Sequence, residues 1–168
     1  MLKPQDVFCC VKVLVKQRAS QNWTFRELAG ELEISLSEVH NALERAGSAG
    51  LYSTEEKTVL RRPFLEFLKG GLRYVYYTKP GSMVRGMATA HSAPPLNENF
   101  PEPEEKYVWP YEKGDQRGLA IEPLYQSVPV AAKRDQQLYE WLNLMESIRV
   151  GRTRERDMAL RMCKKRLN

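Results

Sequence analysis

The twenty residues from Thr24 to Leu43 constrain the fold of this chain more than any other stretch. Apolar residues recur there at spacings of three and four in two successive runs, which indicates two amphipathic helices. Thr24 precedes the first run and has Glu27 three residues later, the pattern of a capping box, and Ser35 with Glu38 repeats it. The first run is Phe25, Leu28, Ala29 and Leu32, and the second is Leu36, Val39, Ala42 and Leu43. The sequence therefore predicts two helices that meet at a tight corner, with Ile34 packed inside it.

Two helices joined in this way form a helix-turn-helix, whose second helix lies in the DNA major groove when the motif binds DNA. Asn41 has the amide that pairs with adenine, Arg45 has the fork that pairs with guanine, and Glu38 could accept from cytosine. The predicted contacts of the corner and its second helix are Thr24, Ser35, Ser37, Glu38, His40, Asn41 and Arg45. Two carboxylates, Glu38 and Glu44, share this face with Arg45. Because phosphate neutralisation supplies most DNA affinity, protein docking through the same face stays an open alternative.

The segment resembles the helix-turn-helix of bacterial winged-helix transcriptional regulators of the MarR type. The resemblance is carried by Leu28, Ala29, Leu32, Ile34, Val39, Ala42 and Leu43, and by the run from Ala49 to Tyr52. It implies a hairpin wing with strands at 51–53 and 58–61, and it adds Lys57 at the wing tip as a DNA contact. This chain has Glu33 where such proteins usually have glycine, and a left-handed residue there costs roughly 1 kcal/mol. The resemblance covers only the first third of the chain.

The rest of the chain predicts an α+β fold. A first helix begins at Pro4 with an apolar stripe of Val7, Phe8, Val11, Leu14 and Val15, and a short helix begins at Pro63. Aromatic and β-branched residues predict a strand at 72–77, further strands begin near Arg85, Tyr107 and Arg117, and 97–106 predicts a loop. Helices follow at 136–149 and 152–166. We therefore expect a winged helix-turn-helix domain at 1–62, a small mixed α/β region with an antiparallel sheet and proline-rich loops at 63–134, and C-terminal helices with a basic tail at 135–168.

The chain has no pattern typical of an enzyme. His91 and Ser92 are neighbours, and neighbouring strand residues point to opposite faces, so they do not fit a base and a nucleophile. Neither a phosphate-binding loop nor metal-ligand spacing is present, so we predict no catalytic activity, no cofactor and no metal site. The repeated Arg-Gly pairs at 85–86 and 117–118 could bind an anion. The favoured interpretation is that each glycine gives freedom to a sheet turn and each arginine flanks it.

Positive charge is concentrated at the end of the chain. Residues 149–168 hold eight Lys or Arg against two Asp or Glu, whereas residues 1–62 hold nine against eight. A basic segment of this density favours an acidic partner, and it makes Arg152, Arg154 and Arg156 candidate phosphate contacts. The preceding helix has an apolar stripe of Leu138, Trp141, Leu142, Met145 and Ile148, which is interpreted either as core packing or as a dimer interface.

These features predict a cytoplasmic, DNA-binding transcriptional regulator, expected to act on double-stranded DNA as a homodimer. The alternative is an antitoxin or other interaction module that neutralises or scaffolds a partner protein, with or without repression of its own promoter. No apolar run is long enough for a membrane span, so no membrane association is expected. Cys9, Cys10 and Cys163 are odd in number, which favours buried thiols in a reducing compartment.

Overall fold

The computed structural model describes residues 1–168 and shows a mixed α+β fold with eight α-helices and two small sheets. The helices are α1 (Pro4–Arg18), α2 (Phe25–Leu32), α3 (Leu36–Ser48), α4 (Arg61–Gly70), α5 (Leu72–Val75), α6 (Val128–Arg134), α7 (Gln136–Val150) and α8 (Thr153–Leu167). The strands are β1 (Tyr52–Ser53), β2 (Thr58–Val59), β3 (Met83–Ala88), β4 (Tyr107–Pro110) and β5 (Gln116–Ala120). None of the helices combines the length and apolar character needed to cross a membrane.

The chain divides into two compact units that do not follow the predicted division at residues 62 and 134. The first unit is Met1–Phe64 with Leu124–Leu138, and the second is Leu65–Pro123 with Tyr139–Asn168. Residues 124–138 belong to the first unit because α6 packs on α2. There the Ser127 hydroxyl donates to the carbonyl of Leu32 at 2.6 Å, at the C-terminal end of α2. These two residues are 95 positions apart, so the local sequence pattern could not predict their contact.

Helix α1 is the centre of the first unit and is buried on all sides, not along one stripe. Every residue from Asp6 to Leu14 is buried, including Lys12. The Lys12 ammonium lies 2.6 Å from the Asp135 carboxylate just after α6. Burial by itself would raise the pKa of Asp135, but the hydrogen bonds from Lys12 and from the backbone of Leu138 outweigh it and lower that pKa. The charge of the buried Lys12 is therefore neutralised by a carboxylate of the same unit.

A short antiparallel hairpin follows α3, as predicted. Tyr52 pairs with Val59 and Ser53 with Thr58, and the Leu60 N–H donates to the Leu51 carbonyl at 2.9 Å. The regular strands are two residues long, which is shorter than the predicted ones.

The second unit contains a three-stranded sheet that closes on itself. Strand β3 pairs antiparallel with both β4 and β5, and β4 pairs parallel with β5. The prediction of a wholly antiparallel sheet is therefore wrong at the β4–β5 pair.

The glycine of each Arg-Gly pair lies inside a strand, so the interpretation that it serves a sheet turn is wrong. A Cβ on Gly86 would lie 2.0 Å from the Trp109 carbonyl oxygen, and one on Gly118 would lie 2.6 Å from the Lys106 carbonyl oxygen. Both positions need glycine because backbones approach closely there, which is how so small a sheet closes.

Residues 72–77, predicted as a strand, begin with the one-turn helix α5. The N–H groups of Tyr74 and Val75 both donate to the Gly71 carbonyl, and that of Tyr76 donates to the Leu72 carbonyl. Leu72 and Tyr76 are buried while Tyr74 and Val75 are exposed. This helical burial pattern outweighs the strand preference of the residues, because strand propensity depends on context.

Helix α7 is buried on its polar side as well as on its apolar stripe. The five stripe residues are at most 2% exposed, so they do not offer the free surface that a dimer interface requires. Asn143 and Ser147 on the opposite side are fully buried. Glu146, one turn after Leu142, is also buried, and its carboxylate accepts from the Trp109 indole at 2.8 Å and from Arg149 at 2.6 Å. Arg149 also donates to the Tyr76 carbonyl at 3.0 Å. It is therefore a buried structural residue and not part of an exposed basic tail.

Candidate nucleic-acid interface

The corner between α2 and α3 is fixed by hydrogen bonds at both helix starts. The Thr24 hydroxyl accepts from the Glu27 N–H at 3.1 Å and the Glu27 carboxylate accepts from the Thr24 N–H at 3.2 Å, which confirms the predicted capping box. Ser35 caps α3 by accepting from the Glu38 N–H at 3.2 Å. The second predicted box is not completed, since the Glu38 carboxylate accepts instead from the Gln5 side chain at 2.5 Å.

Glu33 has the left-handed backbone conformation that the sequence predicts, with φ 53° and ψ 47°. Its carboxylate accepts from the Arg134 guanidinium at 2.8 Å. Ile34 is buried inside the corner, as predicted. The prediction that Leu36 turns inward is wrong, because it lies in the first turn of α3 with 39% of its surface exposed.

The outward face of α3 is short, polar and almost free of cations. Its exposed polar residues are Ser37, His40, Asn41, Glu44 and Ser48, with Ser35 at the cap and Leu36 exposed in the first turn. Of the predicted contacts, Ser35, Ser37, His40 and Asn41 therefore share one accessible face. Glu38 is only half-exposed and holds Gln5.

Arg45 does not belong to this face, and its prediction as a base-reading residue is wrong. Its guanidinium donates through Nε at 2.9 Å and Nη2 at 2.8 Å to the carboxylate of Asp6, which is fully buried. The hydrogen bond to Asp6 raises the pKa of Arg45 above its usual value. The guanidinium that would recognise guanine is thus hydrogen-bonded to a carboxylate of the protein itself. No local pattern shows this, because Asp6 is 39 residues away in the sequence.

A cluster of rings and one cation borders the face of α3. The His40 ring stacks on Phe25 at 4.0 Å between centroids, and Phe25 meets Trp23 edge-on at 5.3 Å. The Lys57 ammonium lies 4.5 Å from the Trp23 ring centroid and 5.1 Å from that of Phe25. This position fixes a positive charge from the β1–β2 hairpin beside His40.

Arg26 is an exposed cation of the first turn of α2 that the sequence interpretation missed. It follows Thr24 by two residues, at the helix end where free N–H groups favour anions. Its place beside the capping box is the signal that could have identified it.

The three predicted phosphate contacts of the tail belong to the second unit, whereas the α3 face belongs to the first. Arg152 and Arg154 are exposed, and the Arg154 guanidinium lies 5.3 Å from the Phe100 ring. Arg156 donates to the Gly151 carbonyl at 3.5 Å. Arg152 and Arg154 border a depression of about 340 Å³ that is also lined by Glu102, Glu104, Glu105 and Glu155. These carboxylates weaken the attraction of that region for phosphate.

Comparison of the chain with protein-family models, with curated proteins and with solved structures found no match. The proposed function therefore rests on the geometry of the chain.

Proposed function

We propose that the first unit is a winged helix-turn-helix that binds duplex DNA through α3, and that the protein regulates transcription. The observation that carries the proposal is the accessible face of Ser37, His40 and Asn41. It lies on a capped helix that follows a tight corner and precedes a hairpin bearing Lys57. A helix presented in this way fits the major groove, and the hairpin corresponds to the wing.

The structure changes which side chains this proposal uses for each task. Asn41 is exposed and has the amide that matches the N6 and N7 edge of adenine, so it is the proposed base reader. Arg45 is excluded by its bond to Asp6. Arg26 and Lys57 are the proposed phosphate contacts, since both are cations near the N-terminal end of α2. Phosphate contacts position a protein on DNA without reading its sequence.

Selection of duplexes from a random-sequence library, followed by fluorescence anisotropy with the selected duplex, tests this proposal. Asn41→Ala is expected to weaken binding to the selected duplex about tenfold or more and to leave non-specific duplex binding nearly unchanged. Arg26→Ala is expected to weaken both and to lower the salt dependence by about one unit of slope. Arg161→Ala removes an exposed arginine of α8, in the second unit, and serves as the matched control. Selection that yields no preferred sequence, or an Asn41→Ala variant with full affinity, would overturn the proposal.

The proposal includes a homodimer and a cytoplasmic location. DNA half-sites related by two-fold symmetry require two copies of a binding helix, and transcription takes place where the chromosome lies. Because the stripe of α7 is buried, the two copies would meet through another surface. Light scattering of the complex with the selected duplex should give two chains for each duplex.

The second candidate is a protein-interaction module, such as an antitoxin that neutralises a partner protein. The observation that favours it is the charge of α3, whose outward face has Glu44 and no accessible arginine. Duplex binding that is absent at every salt concentration would favour this candidate over the first.

A further inference from the structure

The second unit has a strip of chain, residues 73–85, that carries four exposed aromatic and apolar side chains. Tyr74 is 71% exposed, Val75 is 61% exposed and Tyr77 is 64% exposed, and Met83 at the start of β3 is 54% exposed. Apolar side chains this exposed and this close in sequence are uncommon on a surface that has no binding partner.

Cations accompany the strip, and carboxylates are absent from its sequence. Between Glu66 and Glu98 the chain has no Asp or Glu, but it has Lys69, Arg73, Lys79 and Arg85. The Arg73 guanidinium lies 5.8 Å from the Tyr74 ring centroid, and the Lys79 ammonium lies 5.9 Å from that of Tyr77. Each exposed ring thus has its own cation.

The same segment then enters the sheet and places two arginines side by side. In the antiparallel pair of β3 and β5, Arg85 lies directly opposite Arg117, and both are exposed. Met83 is two residues before Arg85 and so lies on the same face. Neither arginine has a salt bridge. Like charges directly opposite each other are unfavourable, so this face is suited to an anion that lies between them.

We infer that this surface, the basic aromatic strip of Arg73, Tyr74, Tyr77, Lys79, Met83, Arg85 and Arg117, binds single-stranded nucleic acid. Unpaired bases stack on Tyr74 and Tyr77, and the backbone phosphates lie against the cations. Each exposed ring has a cation 5.8 or 5.9 Å from its centroid, and single-strand binding uses this pairing of stacking surface and positive charge. An acidic protein would satisfy the cations but would not need the paired rings. Duplex DNA keeps its bases stacked internally, so this binding is separate from that proposed for α3.

Fluorescence anisotropy of the full-length protein with labelled oligo(dT) of about 16 nucleotides tests the inference. We expect Tyr74→Ala and Tyr77→Ala each to weaken binding about tenfold, and Tyr74→Phe to retain it, since stacking needs the ring and not the hydroxyl. The double variant Arg85→Ala/Arg117→Ala should reduce the slope of log affinity against log salt by about 1.4. Cross-linking of a bromouridine-containing strand should label the peptide from Tyr74 to Arg85.

The matched control is the double variant Arg161→Ala/Lys164→Ala, which removes two exposed cations from α8 and should leave oligo(dT) affinity within about twofold of the parent. The inference is overturned if oligo(dT) does not bind, if the two alanine variants of tyrosine bind as well as the parent, or if only the α8 variant loses affinity. Displacement of oligo(dT) by poly-L-glutamate at equal charge concentration would assign the strip to an acidic protein instead. Selected-duplex binding by the tyrosine variants reports separately on α3 and should be unchanged.

Discussion

Arg45 of α3 donates two hydrogen bonds, at 2.9 and 2.8 Å, to the fully buried carboxylate of Asp6 in α1. The same carboxylate accepts from the Lys3 N–H at 2.8 Å, so it also caps α1. One ion pair thus ties the start of α1 to the last turns of α3. It also removes from the α3 face the cation that would have been its strongest contact with DNA.

Replacement of Arg45 should therefore destabilise the fold and not merely weaken DNA binding. Arg45→Met leaves the Asp6 charge buried without its partner, and we expect the free energy of unfolding to fall by about 3 kcal/mol or more. The double variant Asp6→Asn/Arg45→Met should recover part of this loss, because no uncompensated charge remains. Urea denaturation followed by circular dichroism measures both. Unchanged stability of Arg45→Met together with lost duplex binding would return Arg45 to the role of a DNA contact.

The Lys12–Asp135 pair should make stability depend on pH in the acid range. The folded pKa of Asp135 is lowered from its ordinary value, so the carboxylate contributes stability that is fully present above the unfolded pKa of about 3.9. That contribution is lost as pH falls through the lower folded pKa. Thermal unfolding at several pH values should show Asp135→Asn less stable than the parent near neutrality, with the difference shrinking below about pH 4. Asp157→Asn changes an exposed carboxylate of α8, and its difference from the parent should not follow this pattern.

Gly86 and Gly30 should respond to alanine in opposite directions. At Gly86 the added Cβ would lie 2.0 Å from the Trp109 carbonyl oxygen, so the strands must separate, and we expect a loss of about 3 kcal/mol or more. At Gly30, inside α2, nothing lies within 4 Å of the added Cβ. Alanine has the better helix propensity and should stabilise the protein there by about 0.5–1 kcal/mol. Chemical denaturation of both variants provides the comparison. Equal stability of Gly86→Ala and the parent would show that the sheet closes without a close approach at this glycine.

Sequence periodicity was sufficient for α1, α2, α3, α7 and α8 because their determinants are local, whereas the first hairpin was expected from the resemblance to winged-helix regulators. The Thr24–Glu27 box involves residues three apart, and the left-handed Glu33 is the residue that ends α2, only two residues before the cap of α3. Strand β4 and the loop before it were also predictable from composition. The strand predicted at Leu72 failed because residue preference was outweighed by burial of Leu72 and Tyr76 on one side of a helical turn.

The candidate site was predictable only in part, for a related reason. Ser37, His40 and Asn41 face outward because helix spacing alone places them opposite Val39, Ala42 and Leu43. Whether a charged residue beside them is available depends on a partner elsewhere in the chain. Glu38 holds Gln5 and Arg45 holds Asp6, and neither partner lies in the helix-turn-helix segment.

By itself, the sequence determined the two helices at 25–32 and 36–48, the corner between them and the small polar face of the second, because turn, cap and apolar spacing act over a few residues. Only the tertiary structure decided that Arg45 and Arg149 each pair with a buried carboxylate, that α6 completes the first unit, and that Arg85 and Arg117 stand side by side on an exposed sheet face. Each of these features depends on groups from distant parts of the chain. Tertiary packing determines which of those groups come close enough to pair.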